Sequence, residues 1–215
     1  MRKKLFLCNL VFFCVLATSI SPLHAAYVYH LEAFTNNGSY HDSGDLDLYV
    51  VVSDPEPGHV DFTFHNQSLV DSSIARIYFD DDSLLNFYDI TGGSGTSFSQ
   101  PATPGNLPAG NTLEPSFVTT DEFGFKGGPP APQNGINPGE QLTIIFNISP
   151  GTFTQVLDGL NTGALRIGTH VIALPDGSSE SAVTVPEPAT VCLLGLGTLF
   201  FLPKRRSKAT TRFSK

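Results

Sequence analysis

Val60-Asp61-Phe62-Thr63-Phe64-His65 decides how this chain folds. In an extended backbone Val60, Phe62 and Phe64 share one side, and Asp61, Thr63 and His65 share the other, because successive side chains of a strand point to opposite faces. A helix would scatter the three apolar residues around its circumference. The same alternation recurs at residues 27–34, 46–53, 74–79, 84–90, 141–148 and 165–174, with a short last strand at 181–184. Clusters of Gly, Pro, Asn, Asp and Ser separate these runs at 36–39, 54–58, 92–95 and 134–139, which is turn chemistry. Only residues 152–160 have helical spacing, with Phe153, Val156, Leu157 and Leu160 on one face and Thr152 placed to cap the start. Seven or eight half-buried strands with one short helix predict an all-β domain, an antiparallel β-sandwich of jelly-roll-like form; an open barrel would give the same pattern.

Between Gly92 and Pro138 the alternation disappears. Gly, Pro, Ser and Asn dominate, and within this segment only 116–119 reads as a strand. A stretch of that length without structure is unusual inside a compact domain. Either it is functional, or further strands lie in it that the pattern does not show.

The two ends of the chain are built differently. Residues 1–26 carry Arg2, Lys3 and Lys4, then an apolar run at 5–16, then small or polar residues ending in Ala25 and Ala26. This is the build of a secretory signal peptide with an apolar signal helix, to be removed by signal peptidase after passage through the secretion machinery. At the other end residues 185–206 read V-P-E-P-A-T-V-C-L-L-G-L-G-T-L-F-F-L-P-K-R-R. Pro186, Glu187 and Pro188 cannot be helix interior, so they offer an extended tripeptide to a protease. The apolar run that follows, 189–202, gives about 21 Å of helix against a hydrocarbon core of roughly 30 Å. That makes a marginal membrane-anchor helix. Lys204, Arg205 and Arg206 then form a cationic membrane stop that holds its end on the cytoplasmic side.

The triplet, the L-L-G-L-G run and the K-R-R cluster together resemble the PEP-CTERM sorting domain of exported bacterial proteins. The resemblance implies recognition of Pro186, Glu187 and Pro188 by a membrane-embedded exosortase-type transpeptidase. It also implies transient anchoring with the C-terminus in the cytoplasm, followed by delivery to the cell surface or an extracellular polysaccharide matrix. Residues 207–215 extend past the point where members usually end. Within the rest of the chain, I-Y-F-D at 77–80, G-N-L-P-A-G-N at 105–111, I-N-P-G-E at 136–140 and L-R-I-G-T-H-V at 165–171 resemble the mature regions of other such proteins, with no activity implied.

Three segments follow: a signal peptide at 1–26, an exported domain at 27–184 and a sorting signal at 185–215. Charge divides along the same lines. Of the 12 Lys and Arg, only Arg76, Lys126 and Arg166 fall in 27–184, against 19 of the 20 carboxylates, a formal charge of −16. Such a surface repels nucleic acid and anionic lipid. All three cysteines, Cys8, Cys14 and Cys192, lie outside the domain, so it has no disulfide, no thiolate nucleophile and no Cys-based metal site.

Chemical motifs are scarce. Gly92-Gly93-Ser94-Gly95-Thr96 approaches a nucleophile elbow but lacks the last glycine and the helix that should follow, so it reads as a turn. His30, His41, His59, His65 and His170 never occur in the H-x-H or H-E-x-x-H spacing of a preformed zinc site. Tyr40, Tyr49 and Tyr88 are the candidate sugar-stacking rings in a chain without Trp. Asp42, Asp45 and Asp47 beside Gly44, and Asp80, Asp81 and Asp82 at a strand end, have two readings: oxygen ligands for Ca²⁺, or a solvated surface that keeps the protein soluble. No other cofactor is expected. The expected function is structural or adhesive and not enzymatic. The alternative is a carbohydrate-binding module whose partner is an exopolysaccharide, and a secreted hydrolase would need a deep pocket with converging Asp, His or Ser.

Overall fold

The computed structural model describes residues 25–185, except Ser43, Asp82 and Ser149. The signal helix, the sorting triplet, the anchor helix and the basic cluster lie outside the described residues. Among those described, no helix is long and apolar enough to cross a membrane.

The quoted stretch sits in β3 (His59–Asn66), where Val60, Phe62 and Phe64 are fully buried and their neighbours half-exposed. On one side it pairs antiparallel with β2 (Leu48–Ser53), on the other with β8 (Gln141–Asn147). Phe62 stands opposite Val52 and Ile144, so the apolar sides of the three strands coincide. β5 (Asn86–Gly92) forms the edge beyond β8, with a bulge between Phe87 and Asp89. There the Asp89 carboxylate accepts the Ile90 N–H at 2.8 Å. A bulge and a capping charge are devices that blunt a sheet edge against pairing with another chain.

β1 (Ala26–Ala33) joins two halves of the sheet. Residues 26–30 pair with β2, whereas Leu31, Glu32 and Ala33 pair with β10 (Glu180–Thr184). Beyond β10 come β9 (Arg166–Ile172), β4 (Ser73–Asp80), β7 (Gly124–Gly127) and β6 (Phe98–Ser99). The antiparallel all-β expectation is met, with the layering corrected in detail: the two layers are halves of one nearly closed ten-stranded sheet in the order β5-β8-β3-β2-β1-β10-β9-β4-β7-β6.

The halves meet face to face through aromatic rings. Phe79 of β4 lies 5.1 Å from Phe62 and 4.8 Å from Phe146 of the other half, both edge-to-face. This arrangement suits the quadrupole of each ring and adds about 0.5–1.5 kcal/mol per pair beyond the apolar area buried. The helix expected at 152–160 is α2 (Phe153–Thr162). It starts with a capping box between Thr152 and Gln155 and buries Val156 and Leu160. It lies against the N-terminal half of β1, with Phe153 6.0 Å from Tyr27 and Asn161 accepting the Tyr29 hydroxyl at 3.1 Å.

The segment 92–138 contains β6, β7, a 3₁₀ turn at Gly110–Thr112 and the single-turn helix α1 (Ala131–Asn134). The strand map from alternation was therefore incomplete, because β6 has two residues and β7 is Gly-Phe-Lys-Gly, too short to show a period. The expected strand at 116–119 is absent; those residues are an irregular strap.

Candidate functional site

The chain leaves the sheet at Thr184. This residue is buried, is the last to pair with β1, and accepts the Ile167 N–H on its Oγ1 at 3.1 Å. Val185 follows, 38 % exposed. A proline has no N–H to offer a ladder, so the two prolines at 186 and 188 give a chemical reason for strand pairing to stop here. At its other end β10 is fixed by Glu180, a fully buried carboxylate that accepts from Thr35 Oγ1 at 2.5 Å and from the Asn37 and Gly38 N–H groups at 2.8 and 3.1 Å. Sequence reasoning missed this anchor; an acidic residue at the head of an apolar strand was the available sign.

The strap at 100–120 covers the outer side of β4 and β9. Tyr78, Ala102, Leu107 and Phe117 form a small second core there, which explains why β4 is buried on both sides. Two of the domain's three cations hold the strap. Arg76 Nε donates to the Thr103 carbonyl at 2.9 Å. Arg166 donates to the Pro115 and Ser116 carbonyls, both at 2.6 Å, pairs with the Asp80 carboxylate and lies 5.3 Å from the Phe117 ring centre. The Tyr78 hydroxyl donates to the Pro104 carbonyl at 3.1 Å, and burial pushes its pKa up to about 12. Only three cations fall in the domain, and two of them are committed to the strap.

The outer side of the β1, β2, β3, β8 and β5 half carries no strap among the described residues. Across neighbouring strands it presents His30, Tyr49, His65 and Gln141 in one row and Val28, Val51, Thr63, Thr143 and Thr91 in the next. Tyr49 stacks on His65 at 4.7 Å and 15°, with His30 tilted at 6.0 Å on its other side. His59 lies 4.7 Å from Tyr88, and the Thr63 and Thr143 hydroxyls share a hydrogen bond of 2.9 Å. Tyr49 thus takes part in a cross-strand ladder of rings with His65 and His30. Tyr88 is 56 % exposed; Tyr40 packs against the main core. Burial lowers the pKa of His65 and raises that of Asp61, against a smaller pull from His59. At the edge of this face, where β1 changes partners, a cleft of about 340 Å³ is lined by His30, Glu32 and Asp47, and a second of about 270 Å³ by Glu32, His41 and Asp42.

The acidic clusters sit in local turns. Asp42 is exposed, and its carbonyl accepts the Asp45 and Leu46 N–H groups at 3.0 and 3.1 Å; Asp47 is exposed at the entry to β2. Asp80 is paired with Arg166, while Asp81 accepts the Leu84 and Leu85 N–H groups and so closes the turn before β5. Asp82 lies outside the described residues. Among the described residues, no group of three or more His, Cys, Asp or Glu comes together to hold a metal ion. The Gly92–Thr96 stretch is a tight turn, with Thr96 N–H bonded to the Gly93 carbonyl and Gly95 at φ +95°.

No curated protein and no solved structure matches the chain. One family model matches, the PEP-CTERM protein-sorting motif, over residues 184–206. The match begins at the last residue of β10, so the fold runs directly into it: this chain carries a C-terminal exosortase-sorting signal.

Proposed function

We propose that residues 27–184 are the exported cargo of this signal, with 1–26 removed on export and 185–215 holding the chain in the membrane, tail inside, until the transpeptidase acts on the triplet. The domain then serves at the cell surface or in the extracellular matrix in a structural or adhesive role, and it is assigned no catalysis and no cofactor. The observation that carries this is the junction itself: a buried, doubly paired strand ends at Thr184, where the sorting match starts. A carbohydrate-binding role is the second reading, favoured by the strap-free face. In a domain with 19 carboxylates, its two central rows offer hydroxyls, an amide and rings with no acidic side chain. Intact mass and cell fractionation of the native protein test the first reading. A cell-surface or matrix product lacking both ends supports it, whereas an uncut chain in the cytoplasm ends it.

A further inference from the structure

The described domain exposes six large apolar side chains: Tyr27, Val28, Leu69, Tyr88, Val118 and Val185. Tyr27, Val118 and Val185 lie toward one end. β10 runs antiparallel to β9, so beyond Thr184 the chain heads toward the end where β9 starts at Arg166 and β4 finishes at Asp80. Val118 is fixed there by its N–H, which donates to the Asp80 carboxylate at 3.2 Å. Val185 is the first residue out. β1 is also antiparallel to β10, with Leu31 opposite Thr184, so Tyr27 lies past the last pair in the direction of exit. Leu69, by contrast, precedes β4, at the opposite end of that strand.

The tether between this end and the apolar run is short. Residues 185–188 span at most about 14 Å when fully extended. Half the difference between a bilayer of about 40–45 Å and its core of about 30 Å, roughly 5–8 Å, is headgroup layer that the tether must first cross. What is left, less than about 10 Å, amounts to a few layers of water. The exit end cannot move away from the bilayer while the chain is uncut.

We propose that Tyr27, Val118 and Val185 form a membrane-apposed rim that rests in the headgroup layer of the anchored precursor and orients the domain with its Leu69 end outward. This rests on the membrane-held sorting reading above. The partner is a zwitterionic lipid surface. Tyr suits the interfacial region, the one side-chain cation at this end among the described residues, Arg166, is already paired with Asp80, and Asp54 and Glu56 follow Ser53, the partner of Ala26, so anionic lipid would be repelled.

The domain has no cysteine, which allows a clean test. The chain, purified uncut from cells lacking the transpeptidase and with Cys8, Cys14 and Cys192 changed to Ala, receives a fluorescent label at Val118→Cys or at Leu69→Cys and is reconstituted in phosphatidylcholine vesicles. Both positions are well exposed, at 62 % and 87 %, so neither label disturbs the core. Nitroxide-headgroup lipid should quench the label at 118 several-fold more than the label at 69. Equal quenching in vesicles that carry the protein overturns the rim and leaves anchoring intact. A chain that does not float with the vesicles overturns the anchoring reading, and the rim with it.

Discussion

Arg166 and Asp80, 86 residues apart in sequence, meet as an ion pair at the end of the β9–β4 ladder, and the same guanidinium holds the carbonyls of Pro115 and Ser116. One side chain therefore closes a strand end, discharges a carboxylate and fastens the strap. Its planar, five-donor head makes this combination possible where a lysine would not.

Replacing Arg166 by Ala should cost about 2–3 kcal/mol, the scale of charged hydrogen bonds left unmade, and should expose the strap to protease before the sheet unfolds. Arg166→Lys should recover only a part. Urea unfolding together with limited proteolysis reads both effects. If the Ala variant is as stable and as protease-resistant as the parent, the strap is held by its apolar contacts alone.

Phe79 is fully buried at the centre of the ring cluster that joins the two halves of the sheet. Phe79→Ala should lower stability by about 3–5 kcal/mol, through lost transfer energy and the cavity left behind. A loss below about 1 kcal/mol in denaturant unfolding would mean that the halves do not depend on this contact.

Acidification should destabilise the domain near the histidine range. Burial, with Arg76 beside it, holds the His170 pKa below 6.5 against a smaller pull from Glu180, and burial does the same for His65. With the folded pKa depressed, the unfolded chain takes up the proton first. The stability is full above the unfolded value of about 6.5 and is lost as pH falls through the folded values. Asp61, raised by burial, acts in the opposite sense and lower, its contribution being present below about pH 3.8 and lost as pH rises. The melting temperature should drop between about pH 7.5 and 5.5, and a His65→Gln, His170→Gln double variant should flatten the change. A flat profile for the parent contradicts the assignment.

Changing Pro186, Glu187 and Pro188 to Ala should leave the protein in the membrane fraction with its tail uncut, and changing Lys204, Arg205 and Arg206 to Gln should weaken its retention. Intact mass and fractionation of each variant give the answer. Processing of the triplet variant at the parent's rate would reduce the three residues to a linker.

Calcium and sodium chloride at matched ionic strength should raise the melting temperature equally. Asp42 and Asp47 are exposed, and no metal-holding group assembles among the described residues. A saturable gain with calcium alone, lost when Asp42, Asp45 and Asp47 become Asn, would instead reveal a site in that loop.

Two properties are legible in the sequence itself. Strict alternation at residues 60–65 determined which side chains of β3 are buried, since a one-residue slip would turn Phe62 and Phe64 to solvent. The sorting signal was legible because its chemistry is local: prolines that cannot pair, an apolar run and a cationic end. Strand order, the strap and the imidazole–tyrosine ladder were decided by the tertiary structure alone. Alternation says that a strand has an inner side but not which strand lies next to it, so nothing in Leu31, Glu32 and Ala33 announces that β1 leaves β2 there for β10. The strap's hold on Tyr78 depends on Arg76 and Arg166, which reach it only once β4 and β9 lie side by side.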